Sequence, residues 1–176
     1  QQIYGSGQFA GLPARLLISE FAFRAAPGTG PASLSATWMD VYASTTPYFP
    51  NTSGGLPLFI TDTFATNLGP DNTLVFSGPA AFSSPGCASP GVCPFDLSFA
   101  FSTPFLYDRT EGRLLLDFHF VGFSGSGFTD ARNFAFPPGG SIASVVALLG
   151  EPTGEGDASG LITQFTYEVV PEPASG

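Results

Sequence analysis

Apolar and polar residues alternate along several stretches of the chain with the period of two that is typical of β-strands. The stretch FDLSFAF places one apolar set on a single face: Phe95, Leu97, Phe99 and Phe101. The stretch RLLLDFHFVGF does the same with a second set: Leu114, Leu116, Phe118 and Phe120. The residues DRTEG between the two stretches favour a turn. The pattern therefore predicts a hairpin whose apolar residues are buried on one sheet face.

Alternation or a β-branched and aromatic composition predicts the other strands. The stretch LITQFTYEVV alternates clearly, and further strands are predicted at residues 15–24, 34–43, 56–61, 73–77 and 141–149. The stretch TDTFATNLGPDN is predicted to hold one short helical turn. Segments rich in Gly and Pro separate the strands, and no long stretch has a helical period. The chain is therefore predicted to be all-β: a single β-sandwich or jelly-roll-like domain over residues 1–170 with long Gly/Pro-rich loops, followed by an exposed tail at residues 171–176.

Composition adds an expectation about the surface of this domain. Charged residues make up 11% of the 176-residue chain, against roughly 25% in a typical globular domain, and 19 residues are Phe. No Lys is present, which excludes Schiff-base chemistry and a catalytic Lys base. The net charge of −9 repels phosphate backbones, so we expect no nucleic-acid partner. Few charges and many Phe residues predict that some apolar surface is buried between copies of the chain.

The two cysteines, Cys87 and Cys93, lie in the stretch CASPGVC. The five residues between them do not match the spacing of a zinc site, and no second pair is present. The Pro-Gly between them favours a turn that brings the two sulfur atoms together. The spacing predicts a local disulfide, with two free buried thiols as the alternative.

Residues that carry catalytic chemistry are few in this chain. His119 is the only histidine and shares a strand face with Asp117, but no Gly-x-Ser-x-Gly nucleophile motif is present. The carboxylates are scattered singly, without the spacing of a calcium loop. We therefore expect no enzymatic activity and no metal or other cofactor. The triplet NTS makes Asn51 a candidate glycosylation site.

The end of the chain carries a resemblance to a known family. Residues 170–175, VPEPAS, resemble the start of a PEP-CTERM sorting signal, whose motif residues are here Pro171, Glu172 and Pro173. In that bacterial family the element precedes a membrane span and a short basic cluster, so the chain is similar to the mature product of such processing or to a trimmed chain. The stretches LLISEFAFR, GRLLLDFHFVGFSG and GLITQFTYEVVPEP resemble a recurrent β-domain of PEP-CTERM proteins, whereas the CASPGVC loop departs from it.

The resemblance implies export to the bacterial cell surface or the extracellular matrix, with an exosortase as a partner during export. It assigns no catalytic residue. The chain begins with Gln rather than Met, which gives the related expectation that a signal peptide has been removed.

Together these observations predict a non-enzymatic extracellular structural protein that assembles into filaments or a surface matrix by pairing strands between subunits. The segment predicted to be donated is N-terminal: Gln1, Gln2, Ile3 and Tyr4. The Gly-rich stretch GSG follows it as a hinge, whereas the other candidate donor, the strand at residues 165–170, is longer and is expected to stay in its own sheet. The alternative is a carbohydrate-binding module that acts on exopolysaccharide through exposed aromatic residues: Trp38, Tyr42, Tyr48 and Phe49.

Overall fold

The computed structural model describes residues 1–49, 60–87, 91–127, 129–133, 142–148, 150–157 and 159–171. Its strands are β1 (Gln2–Tyr4), β2 (Arg15–Phe23), β3 (Ala32–Thr46), β4 (Thr73–Ser84), β5 (Leu97–Asp108), β6 (Arg113–Val121), β7 (Ser124–Ser126), β8 (Ala131–Asn133), β9 (Ile142–Val146), β10 (Glu155–Asp157), β11 (Ser159–Leu161) and β12 (Thr163–Val169). The helical segments in these residues are a 3-10 turn at Ser6–Phe9 and the helix α1 at Phe64–Asn67, each four residues long. Helix α1 falls in the stretch predicted to hold one helical turn.

Some predicted features lie outside the described residues. They are Asn51, Glu172, Pro173 and most of the strand predicted at residues 56–61. Pro171 is described and follows the end of β12.

The strands form antiparallel sheets, which confirms the prediction of an all-β, sandwich-like domain. The large sheet has the strand order β10-β9-β1-β6-β3-β4, and β7 pairs with the first part of β3. A three-stranded sheet with the order β12-β2-β5 packs against it. Strands β8 and β11 form a short third ladder.

The main hydrophobic core lies between the two larger sheets. It joins Leu114 and Leu116 of β6 to Phe21 of β2 and Phe99 of β5, and the rings of Phe21 and Phe99 stack with their centroids 4.5 Å apart. A second, smaller cluster covers the opposite face of the large sheet: Ile3, Ile60, Leu115, Ala143 and Val145. Because both faces of β6 are covered at this point, its three consecutive Leu residues are all fully buried.

The predicted hairpin around DRTEG is wrong. Strand β5 pairs with β2 in the three-stranded sheet, whereas β6 pairs with β1 and β3 in the large sheet, so the turn crosses between sheets. Asp108 fixes this turn, because its Oδ1 accepts hydrogen bonds from the Thr110 N–H at 2.9 Å and the Thr110 hydroxyl at 2.6 Å. The Tyr107 hydroxyl also donates to the Gly112 carbonyl at 3.1 Å.

The two predicted apolar sets therefore face each other across the core instead of sharing one sheet face. Four of their members are buried: Leu97, Phe99, Leu114 and Leu116. The other four are half-buried: Phe95, Phe101, Phe118 and Phe120.

Strand β1 lies in the middle of the large sheet. Its residues pair with β6 on one side and with β9 on the other, and Ile3 faces Leu115 and Ala143 in these two ladders. Ile3 is fully buried. In the single chain, the segment expected to be donated, Gln1 to Tyr4, thus fills the gap between β6 and β9 of its own sheet, and its donation to another copy stays a prediction. The C-terminal strand β12, which was expected to be the more integral of the two, lies at the end of its sheet.

Cys87 and Cys93 are joined by a disulfide, as their spacing predicts, and their Cα atoms are 5.6 Å apart. Cys93 is buried. The Gly28 N–H donates to the Cys87 carbonyl at 3.1 Å. Cys87 is thereby held against the turn that precedes β3.

We predict that Ile3→Ala lowers the free energy of unfolding by about 2–5 kcal/mol, because it leaves a cavity where β1 joins the second cluster. Denaturant unfolding of dilute protein measures this loss. The control Leu148→Ala removes a similar side chain that is 83% exposed, and it should change the free energy by less than about 0.5 kcal/mol. Equal losses from the two variants would show that β1 is not packed in the centre of the sheet.

Candidate functional site

The outer edges of the two larger sheets are the places where a further strand could be added. On one side of the sandwich, the edge strands β4 and β5 lie against each other. The Ser102 hydroxyl donates to the Val75 carbonyl at 3.0 Å, and the ring centroids of Phe82 and Phe99 are 3.6 Å apart. Each of these strands also contains a Pro, which lacks the N–H that a ladder needs. This side of the sandwich offers little room for a further strand.

On the other side, the large sheet ends at β10, which is three residues long and offers few backbone groups. The start of the neighbouring edge, at Leu161, is covered by the side chain of Gln2. The Gln2 amide donates to the Leu161 carbonyl at 3.0 Å, and its Oε1 accepts from the Leu161 N–H at 2.8 Å. Gln2 thus binds both backbone groups of Leu161, as an adjacent strand would.

Strand β12 is the long edge that remains open in the described structure. It has seven residues without Pro, it pairs along its length with β2, and no described strand pairs with its other side. The Val170 N–H donates to the Arg15 carbonyl at 3.2 Å, and the Ser19 hydroxyl donates to the Thr166 carbonyl at 3.4 Å. Even-numbered residues therefore direct their backbone groups towards β2.

The odd-numbered residues of β12 consequently direct their N–H and C=O groups outward, because backbone directions alternate along a strand. These residues form what we call the β12 edge: Thr163, Phe165, Tyr167 and Val169.

The side chains of the β12 edge that face the core are only partly covered. The Phe165 ring lies edge-on to the Tyr4 ring with centroids 5.0 Å apart, and the Thr163 and Tyr4 hydroxyls are hydrogen-bonded at 2.7 Å. Burial raises the pKa of Tyr4 above its usual value, so its hydroxyl keeps its proton for this contact. Phe165 and Tyr167 pack against the main core but remain half-buried. A strand added at the β12 edge would cover them further.

A second candidate surface is the exposed outer face of β3 and its neighbours, which we call the Trp38 face: Trp38, Asp40, Tyr42, Ser77 and His119. Trp38 is 46% exposed, and its Nε1 donates to Asp40 Oδ1 at 3.0 Å. The Ser77 hydroxyl donates to the same oxygen at 2.5 Å. The Tyr42 ring lies edge-on to the His119 ring, with centroids 5.6 Å apart. Exposed aromatic rings beside a hydrogen-bonding carboxylate can stack on a sugar ring and bind its hydroxyls.

The structure brings two of the four aromatic residues predicted for sugar binding to this face, Trp38 and Tyr42. Tyr48 instead packs against the second cluster. The Phe49 ring lies under the Arg113 guanidinium, 3.5 Å from its Cζ to the ring centroid. Of the four predicted residues, Trp38 and Tyr42 therefore supply the aromatic rings of the Trp38 face.

His119 and Asp117 are adjacent on the outer face of β6, as the alternation predicts. His119 Nε2 lies 3.0 Å from Asp117 Oδ2, and the Asp117 side chain is 9% exposed against 51% for His119. A catalytic triad needs a nucleophile on the other side of the His. The contact between His119 and Asp117 lies on a flat sheet face and supplies two members of such a triad, the His and the carboxylate.

A cleft at the end of the sandwich is lined by Arg15, Asp71, Asp108 and Glu111 among others. Its carboxylates hold the local backbone: Asp71 Oδ1 accepts from the Thr45 N–H at 2.7 Å. Hydrogen bonds from Thr110 lower the pKa of Asp108. Among the residues that the structure describes, no group of three or more His, Cys, Asp or Glu side chains is placed to hold a metal ion.

Sequence reasoning did not single out the polar residues that β12 presents on its solvent face: Gln164, Thr166 and Glu168. The signal that could have found them is the stretch LITQFTYEVV, which contains neither Pro nor Lys to block pairing at an edge.

Comparisons with protein-family models, with curated proteins and with solved structures found no match to this chain. No helix in the described ranges is long and apolar enough to cross a membrane. The functional interpretation therefore rests on the β12 edge and the Trp38 face.

Proposed function

We propose that the chain is a non-enzymatic extracellular structural protein that assembles with copies of itself by pairing strands at the β12 edge. The observation that carries this proposal is the row of outward-directed backbone groups along β12, with no described strand opposite them. Unpaired N–H and C=O groups at a sheet edge are a template for another strand. Glu168 is the single charged residue of β12, so charge at this edge offers little resistance to pairing.

The remaining surface supports assembly beyond a dimer. A two-fold contact at one edge closes into a dimer, and a second contact is needed to extend it into a filament or matrix. Several exposed apolar side chains supply area for that contact: Val121, Phe123, Val146 and Leu148, which are between 48% and 83% exposed. The absence of Lys fits the same interpretation, because Lys on edge strands is a common device against such pairing.

The proposed location outside the cell is supported by two features. The Cys87–Cys93 disulfide suits an oxidising compartment. The VPEPAS ending resembles a PEP-CTERM signal, for which an exosortase would be the partner during export. A surface or matrix polymer of this kind needs no catalytic residue.

The double variant Thr166→Lys/Val169→Pro tests the proposal. Val169→Pro removes an outward N–H from the β12 edge, and Thr166→Lys places a charge at its centre, while the pairing with β2 keeps its N–H donors. We predict that the wild-type protein forms assemblies in light scattering and electron microscopy, and that the double variant is a folded monomer.

The matched control is Ser83→Lys/Val169→Ala. It adds the same charge on the solvent-exposed Ser83 of β4 and shortens Val169 without removing the N–H, so it should assemble like the wild type. Assembly of the edge-blocked variant at wild-type levels, or a monomeric wild-type protein at high concentration, would contradict the proposal.

A second candidate function, binding of exopolysaccharide, is favoured by the Trp38 face. Trp38 and Tyr42 lie four residues apart on one strand face, so their rings are spaced by about 13 Å along β3. The carboxylate of Asp40 lies between them and is already oriented by Trp38 and Ser77. This is an extended surface, suited to a polymer rather than to a small ligand.

Trp38 is the only Trp in the chain, so intrinsic fluorescence reports directly on this face. We predict a saturable blue shift when neutral exopolysaccharide oligosaccharides are added. Tyr42→Ala should weaken binding by about tenfold, which corresponds to ~1.4 kcal/mol, and it leaves Trp38 in place as the fluorescent reporter. Phe49→Ala, which lies off the face, should leave the affinity unchanged. A panel of such oligosaccharides that produces no saturable shift would remove this candidate.

A further inference from the structure

We propose that two copies of the chain pair their β12 strands antiparallel about a two-fold axis that passes through Thr166. The inference rests on the proposed function and adds the register of the contact. In this register Thr166 faces Thr166 of the second copy, and the seven residues of β12 are all paired.

The directions of the backbone groups require the two-fold axis to pass through a residue of β12 and not between two residues. Odd-numbered residues of β12 direct their N–H and C=O groups outward. An axis through a residue places odd-numbered residues opposite odd-numbered residues, so that they form hydrogen-bonded pairs. An axis between two residues would place each outward-directed residue opposite one whose groups are bound to β2, and the ladder would be lost.

The two ends of the free edge determine which residue the axis passes through, and that residue is Thr166. On one side, Leu161 already has both backbone groups bound by the side chain of Gln2. On the other side, Pro171 has no N–H to donate. The free edge therefore runs from Thr163 to Val169, and its midpoint is Thr166.

In each neighbouring register, one outward-directed residue of β12 would lie opposite Leu161 or Pro171, neither of which can pair fully. An axis through Phe165 would place Val169 opposite Leu161, whose backbone groups are taken. An axis through Tyr167 would place Thr163 opposite Pro171, which cannot complete the pair. Only the Thr166 axis uses the whole edge and neither of these residues.

The side chains on the solvent face of β12 complement each other in this register. The Gln164 amide faces the Glu168 carboxylate of the second copy, and the two Thr166 hydroxyls face each other. All three residues are exposed in the single chain. Polar pairs of this kind stabilise antiparallel strands, whereas a register that set Glu168 against its own copy would bring like charges together.

The side chains on the core face complement each other as well. Phe165 faces Tyr167 of the second copy, and Thr163 faces Val169. Phe165 and Tyr167 are half-buried in the single chain, and Val169 is 52% exposed. Aromatic and β-branched pairs are favourable opposite each other across strands, so the contact would extend the core of each copy into the next.

Cysteine cross-linking tests the register. The chain's own two cysteines are joined to each other, so an introduced cysteine has no free thiol of the chain to react with. Thr166→Cys should convert most of the protein into a disulfide-linked dimer under mild oxidation, since facing Cβ atoms in such a pair are about 4.5–5.5 Å apart. Gln164→Cys alone should not cross-link, but it should do so when mixed with Glu168→Cys. Peptide mapping would identify the joined residues.

The outcomes separate this inference from the proposed function. Efficient cross-linking of Gln164→Cys with itself would overturn the Thr166 axis. Wild-type assemblies together with a Thr166→Cys protein that does not cross-link would also overturn the register, while the proposed function would stand. A monomeric wild-type protein, with no cross-linking of any variant, would overturn both.

Discussion

The backbone N–H and C=O groups of each strand need hydrogen-bond partners, which are protein groups in the interior and water at an exposed edge, and this requirement determines how the rest of the structure is arranged. Strand β1 fills the position between β6 and β9, and the Gln2 side chain takes the place of a strand beside Leu161. Strands β4 and β5 lie together on the opposite side. Along β12, protein groups meet this requirement on one side only. A second copy of the chain offers an identical row of groups, which is why we place self-association at this edge.

The two candidate surfaces lie on different sheets, so they are compatible in one molecule. The β12 edge belongs to the three-stranded sheet, and the Trp38 face is the outer face of the large sheet. A polymer joined at β12 would leave Trp38 and Tyr42 exposed to the glycans of a surrounding matrix. Assembly and glycan binding would then be two properties of the same protein, the first due to backbone groups and the second to side chains.

Alternation along the sequence was sufficient to predict the all-β class, and the cysteine spacing with its Pro-Gly was sufficient to predict the disulfide, because strand period and turn chemistry are local. The sheet to which a strand belongs is not local. The turn at Asp108 has the same residues whether it closes a hairpin or crosses the core, and the pairing of β5 with β2 decides between the two. The central position of β1 could not be predicted either, because a strand of three residues is too short to show a pattern. One available signal was the run Leu114-Leu115-Leu116, since a strand that is apolar on both faces must be covered on both.

Backbone amide exchange along β12, resolved residue by residue on the unmodified protein at low and high concentration, tests the central claim most directly. The account predicts that the outward amides of Phe165, Tyr167 and Val169 exchange quickly in dilute protein and become protected as the concentration rises. The amides of Gln164 and Glu168, which are directed towards β2, should be protected at both concentrations. Outward amides that exchange at the same rate throughout the concentration range would contradict the claim that this edge joins one copy of the chain to another.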